Sequence, residues 1–278
     1  MTFKNDTETD LHLHVEHLFV RAGKLLIGNE THPFNRTAKI TLHGTKAEEA
    51  KVFDGTIEGG NKAIVNVGTI KMYGKPQPFK MTRLTAECYK GDKSFKVEPN
   101  LAIFPGDRLA LAPTSYDFMA SDDIVVNTYD NATGVVTFNG SLSHYHYGAA
   151  ESTGKDFNGV DMRGEVMLLN GKNVIIQGEN VDGWGGRFVT MDTIEADLSI
   201  RSGITVLHNV EIYNCSQADT ERAALEWKGA SGGWSHIANV SIHNGKGQGV
   251  FMQASANVKV ENSVIYNFMK IGFNIVSV

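Results

Sequence analysis

One short phrase, Asn-x-x-Ile-x-Asn, restricts the fold of this chain more than any other feature. It reads Asn209-Val-Glu-Ile212-Tyr-Asn214, then Asn239-Val-Ser-Ile242-His-Asn244, then Asn262-Ser-Val-Ile265-Tyr-Asn267, at intervals of 30 and 23 residues. Recurrence at such a period is the mark of a repeat architecture. Val210, Ile212 and Asn214 fall on one side of an alternating segment and Asn209, Glu211 and Tyr213 on the other, so each phrase reads as a strand. One strand per repeat predicts an all-β parallel β-helix in which Ile212, Ile242 and Ile265 stack inside. Asn214, Asn244 and Asn267 would form an asparagine ladder at the bend. An antiparallel β protein with fortuitous asparagine spacing is the competing reading.

The rest of the chain agrees with many short strands. It has 278 residues with Gly frequent (29) and Pro scarce (6), and no long helical periodicity. The net charge is −5 with both signs interspersed, which predicts no nucleic-acid partner and no cationic membrane-surface helix. No apolar run approaches the length of a membrane span. The first residues lack the apolar stretch of a signal peptide. Glycosylation sequons stand at Asn5, Asn29, Asn35, Asn131, Asn139, Asn214 and Asn239, favouring a secreted or surface protein. Asn29, Asn35 and Asn131 are expected to carry sugar, with Asn139 and Asn239 as further sites and Asn214 withheld in the ladder. Cys88 and Cys215 make neither a disulfide framework nor a metal spacing. Two free buried thiols are expected, a single bridge being the alternative.

Strands begin at once with Leu11-His-Leu13-His-Val15. Val20 to Gly28 is echoed by Val65 to Gly74, with Ala38 to Gly44 between, and their glycines suit sharp bends. The middle is less regular: Gly106 to Ala112 reads as a strand, and Val135 to Leu142 as a projecting hairpin turning at Asn139-Gly140. Asp156 to Asp161 reads as a loop. Thr190 to Gly203 and Asn214 to Trp234 read as long inserts between strands, the usual carriers of function on a solenoid.

Three passages together resemble a known family. Leu18 to Gly28, with His32-Pro33-Phe34 and Ala38 to Gly44, resembles the second part of the eight-glycine (G-eight, G8) domain of fibrocystin, the fibrocystin-like proteins and the cell-surface hyaluronidases. Gly74-Lys-Pro76, Thr82-Arg-Leu84, Pro105-Gly106-Asp107 and Thr114-Ser-Tyr116 follow in that family's order. Arg163 to Val166 and Asn173 to Gly178 then lead into its β-helix. The resemblance implies a right-handed parallel β-helix, with residues 1–162 as the later, β-helical part of the eight-glycine domain and residues 163–278 as β-helix repeats continuous with the first. It also implies an extracellular, cell-surface setting, with a ciliary surface suggested by the fibrocystin association.

The resemblance brings two classes of function. The hyaluronidase branch implies glycan cleavage, yet the places where those relatives carry their histidine-rich strand, Arg and His, and Gly-His pair read here Ala224-Leu-Glu226-Trp227-Lys228, Gln248 with Gln253, and Ile271-Gly272. His243 alone remains, and no acid–base carboxylate pair is evident on adjacent coils. The expectation is therefore a non-enzymatic structural, adhesive or ligand-binding segment without a cofactor or metal. Its partners would be glycans, neighbouring proteins in an extended assembly, or the remainder of a longer chain. Arg222, Glu226, Trp227 and Trp234, with His243, are the candidate ligand-binding group, since aromatic rings flanked by charges suit a sugar or a protein partner. Core packing of the tryptophans is the alternative. His144-Tyr-His146 could bind metal but reads better as a polar strand face. Asp122-Asp123, Asp182, Asp192 and Asp197 read better as solvated turns than as calcium ligands. The apolar stretch from Phe268 to Val278 lacks a polar cap, so end-to-end association is expected.

Overall fold

The computed structural model describes residues 1–5, 9–151, 159–179 and 183–277. It forms two compact units, residues 1–76 with 172–278, and residues 77–171. Asp182 and part of the Asp156–Asp161 loop lie outside the described residues.

The first unit is a parallel β-helix of three sheets. Leu11–Val15, Ala38–Leu42, Val174–Gly178, Val210–Tyr213, Ser241–Gly245 and Val264–Phe268 stack as the first sheet. His17–Val20, Ala63–Asn66, Arg187–Met191, Leu225–Lys228, Val250–Gln253 and Phe273–Val276 form the second. Thr2–Phe3, Lys24–Ile27, Thr69–Tyr73, Ile204–His208, Ser235–Ala238 and Val258–Glu261 form the third. All pairings in these sheets are parallel. The expected isoleucine column is present and longer than the repeat alone revealed: Leu13, Ile40, Ile176, Ile212, Ile242 and Ile265 are successive partners across the first sheet. Ile176, Ile212 and Ile242 are fully buried in one core with Leu25, Ile70 and Phe188. Burying each such side chain contributes roughly 1.5–3 kcal/mol.

Asparagine bends the chain at both ends of the repeated phrase. Asn209, Asn214, Asn239, Asn244, Asn262 and Asn267 all have φ between 49° and 57°, the left-handed region that Asn tolerates better than other non-glycine residues. In the expected ladder, Asn267 Nδ2 donates to Asn244 Oδ1 at 2.9 Å. Glycine serves elsewhere by its missing side chain: a Cβ on Gly74 would stand 2.3 Å from the Asn209 carbonyl oxygen.

The second unit is antiparallel, in the order Met81–Arg83, Glu165–Leu168, Arg108–Leu111, Asp122–Asp130, Val135–Phe138, Ser94–Lys96. Its own core includes Leu84, Val97, Leu109, Val136 and Val166. The structure differs from the sequence reading at three places. The compact units divide around residues 77–171 rather than at residue 162; the front and back coils are continuous, as Ile40 pairs directly with Ile176, so residues 77–171 interrupt a solenoid that resumes in register. The hairpin turns not at Asn139-Gly140 but at Asp130 to Gly134, where Gly134 N–H donates to the Asp130 carbonyl (2.8 Å) and Asp130 Oδ1 accepts from Ala132 N–H (2.9 Å). A third concerns the supposed insert Asn214 to Trp234, which contains Leu225–Lys228, a full strand of the second sheet. After Thr190 a small ribbon does project, pairing Thr193–Ile194 with Ile200–Arg201.

Candidate functional site

The outer face of the third sheet carries a groove of about 540 Å³. Strand alternation builds it: Leu25, Ile27, Ile70, Met72 and Leu207 enter the core, which leaves Lys24, Leu26, Thr69, Lys71, Tyr73 and Ile204 on the outside, all lining the groove. Lys24 pairs with Thr69 and Leu26 with Lys71, so two ammonium groups flank an apolar floor. Gly28, at φ 65°, turns the chain into Asn29-Glu30-Thr31 at the rim. There Asn29 Oδ1 accepts from Thr31 N–H (3.1 Å), Thr31 Oγ–H (2.9 Å) and His32 N–H (2.8 Å). Burial, with the nearby Glu30 carboxylate, pushes the Tyr73 phenol above its ordinary pKa. The same face continues through His208, whose ring meets Tyr73 edge-on, and through His236. His236 Nε2 lies 2.7 Å from Glu261 Oε1. Trp234 precedes His236 by two residues, shares its outward parity and is 58% exposed.

The five residues singled out in the sequence do not meet. Trp234 alone reaches this face. Trp227 is fully buried in the β-helix core beside Leu225, so its ring is not offered to a ligand. Glu226 is also fully buried, held by Arg187 through two bonds of 2.9 Å, and Arg187 further donates to the carbonyls of Glu58 and Gly59 at 3.2 Å. The hairpin Lys51–Phe53/Ile57–Gly60 accounts for this burial, because Phe53 packs with Phe19, Val65 and Val189 on the outer side of the second sheet. Arg222 bonds Glu58 and Gln217 in the same region, and its guanidinium lowers the Glu58 pKa. His243 points outward from the first sheet yet is 2% exposed, with Nε2 3.2 Å from Glu211 Oε1 and its ring stacked on Tyr213. Sequence reasoning missed Lys24, Lys71 and Tyr73, although their alternation with core residues was readable; what was hidden was that the two strands are neighbours.

The other candidates have local partners. His146 is fully buried, its ring 2.9 Å from Asp122 Oδ2 and 3.0 Å from the Ala112 carbonyl, a buried pair rather than a polar strand face. Asp123 binds Arg108, Asp192 accepts from Ser231 and Gly232, and Asp197 caps Ser199. Among the described residues no group of three or more His, Cys, Asp or Glu is arranged to hold a metal. Cys88 and Cys215 are free and buried, and burial pushes both thiols up to about 12. Of the sequon residues, Asn29, Asn35, Asn131 and Asn139 are exposed, whereas Asn214 and Asn239 are half-buried at left-handed bends. Among the described residues no helix is long and apolar enough to cross a membrane.

Residues 1–85 match the family model of the G8 domain. The chain is 24% identical to human fibrocystin-L over 94% of its own length and 7% of that protein. It is 27% identical to zebrafish (Danio rerio) cell surface hyaluronidase over 59% of this chain and 12% of that one. It is also 26% identical to the human cell migration-inducing and hyaluronan-binding protein, over 70% of this chain and 15% of the relative. It thus spans a small part of each of these relatives. The resemblance to the fibrocystin and G8 proteins read from the sequence is borne out. Among solved structures, a tailspike of an Acinetobacter baumannii bacteriophage in complex with capsular saccharide aligns over 93% of this chain and 45% of its own, at 13% identity and a TM-score of 0.35.

Proposed function

We propose that this chain is a non-enzymatic, glycan-recognising segment of a large extracellular surface protein, and that the groove on the third sheet is where it meets the sugar. The observation that carries the reading is that groove: two lysines over an apolar floor, with Tyr73 in its wall and Trp234 exposed on the same face. Aromatic rings stack on sugar faces and ammonium groups pair with glycan carboxylates or sulfates, the combination an acidic polysaccharide requires. The relatives' names, cell surface hyaluronidase and hyaluronan-binding protein, support the same class of ligand. Incubating the protein with hyaluronan, chondroitin sulfate and heparin, with and without calcium, tests it. Saturable binding is expected, weakened by salt and reduced about tenfold in Lys71→Glu and in Trp234→Ala, the scale of one charge-assisted contact. Shortening of any of these chains would overturn the non-enzymatic reading in favour of cleavage, and unchanged affinity in both variants would overturn the groove.

A further inference from the structure

The groove on the third sheet is one end of a longer face. Lys71, Val206, His236 and Lys259 are successive partners across that sheet, and Tyr73, His208, Ala238 and Glu261 run beside them. Both rows point outward, because Met72, Leu207 and Ile237, which alternate with them, lie in the core. From Lys24 to Lys259 the face crosses five strands, about 19 Å at the ordinary strand spacing. Its far end is a chain of polar contacts. Lys259 Nζ stands 2.8 Å from Glu261 Oε2, His236 Nε2 2.7 Å from Glu261 Oε1, and His208 Nε2 3.1 Å from His236 Nδ1. A carboxylate only accepts, so His236 donates through Nε2–H, and its Nδ1 lone pair accepts from His208 Nε2–H. In this arrangement both rings are neutral and Lys259 is cancelled by Glu261. The far end then has no net charge to offer an anion.

Building on the groove as the glycan site, we propose that His236 and Lys259 are its second half, brought into use by a proton: in acid an anionic polysaccharide lies along the solenoid axis over both halves, and near neutrality it holds the groove alone. The histidine pair takes up one proton. It rests on His236 Nδ1, which then donates to His208 Nε2, while the His208 hydrogen shifts to Nδ1. Burial, then the neighbouring His236, lower the His208 pKa, so the charge stays on His236. Glu261 is held ionised there, its pKa lowered by Lys259 and then by His236. With His236 charged, two cations share that one carboxylate and the far end becomes positive. Glu30 and Glu261 favour a cation on the pair, Lys71 and Lys259 oppose it, and Tyr73, edge-on to His208 with its phenol pushed up by burial, stays neutral. An anionic chain over this end stabilises the protonated form, so binding takes up a proton and tightens as pH falls through the range in which imidazoles change charge.

Heparin and chondroitin sulfate are the probes, since their sulfates stay ionised throughout, and calorimetry at about pH 5.5 and about pH 7.5, inside the imidazole window, measures the ratio of affinities. Binding about tenfold tighter at the lower pH is expected, the scale of one added charge-assisted contact. The ratio should fall towards one in His236→Asn and persist in His14→Asn, a histidine on the first sheet that controls for the general rise in positive charge. Glu261→Gln frees Lys259 and should bind several-fold tighter than the parent at pH 7.5, a gain that misfolding cannot imitate. Equal affinity at the two pH values, a ratio kept in His236→Asn or lost in His14→Asn, or no gain in Glu261→Gln would overturn this proposal while binding weakened by Lys71→Glu left the groove standing. No binding of either glycan at either pH would overturn both.

Discussion

Replacing Glu226 by Gln provides a severe test of the structure, because it keeps the shape of the side chain and removes only its charge. Arg187 and Glu226 are 1% and 0% exposed and share two bonds of 2.9 Å. Breaking a buried pair by removing one partner costs about 3–5 kcal/mol, since the other charge is left in a medium that cannot solvate it. Arg187 would still reach the carbonyls of Glu58 and Gly59, which places the expected loss near the lower end, about 3 kcal/mol. For a chain of this size that is a fall in Tm of roughly 6 °C, at about 2 °C per kcal/mol. Thermal and urea unfolding followed by tryptophan fluorescence measure it, Trp227 lying one residue away in the core. The double variant Arg187→Met, Glu226→Leu removes both charges and is expected to recover most of the loss. Glycan binding is expected to survive in every variant that remains folded. A Glu226→Gln protein within about 1 kcal/mol of the parent, or a double variant as unstable as the single one, would refute the argument from burial.

Other outcomes are open to direct measurement. Burial alone would raise the Asp122 carboxyl, but hydrogen bonds from His146 and from the Ser143 and His144 amides outweigh it and hold its pKa below the ordinary value. The stability this contributes is present above the unfolded-state pKa of about 3.9 and is lost as pH falls through the folded value. Asp122→Asn should accordingly destabilise the second unit at pH 7 and flatten its acid unfolding curve, and a curve parallel to that of the parent would contradict this. Both thiols should resist iodoacetamide in the native protein and react after unfolding, as mass spectrometry of quenched samples would show. Asn244→Ala should cost about 1–2 kcal/mol by forcing an alanine into the left-handed region, and Asn244→Gly should avoid that strain while losing the ladder bond to Asn267. In a secretory host, glycopeptide mapping should find Asn29, Asn35, Asn131 and Asn139 occupied and Asn214 bare; full occupancy at Asn214 would contradict its place at a packed bend.

Much of the β-helix was legible because its logic is local and repeated. Ile212, Ile242 and Ile265 announce a column, and the asparagines on either side announce where the chain must bend. Trp227 could have been placed from the same alternation, since it shares the parity of Leu225 in the core; the charges beside it drew attention to the wrong side of the strand. The interruption by residues 77–171 left no comparable signal. It is recorded in pairings such as that of Ile40 with Ile176, between residues that no sequence window joins. The groove was hidden for a related reason, as Lys24 and Lys71 become neighbours only when separate coils stack. The burial of Glu226 depended on the hairpin around Phe53 folding over it, which no feature near Glu226 encodes.

The interruption of the solenoid also orders events in time. The strands Ala38–Leu42, Ala63–Asn66 and Thr69–Tyr73 have their next partners at Val174–Gly178, Arg187–Met191 and Ile204–His208. At synthesis rates of about 5–20 residues per second, the ribosome needs roughly 5–20 s to pass through residues 77–171 before the first of those partners emerges. For that interval a nascent chain holds completed coils with one row of amide and carbonyl groups unclaimed, in the most adhesive state a sheet can present. Premature pairing between neighbouring nascent chains on one message is thus the hazard peculiar to this arrangement, and prompt folding of the intervening unit by itself is what shortens the exposure.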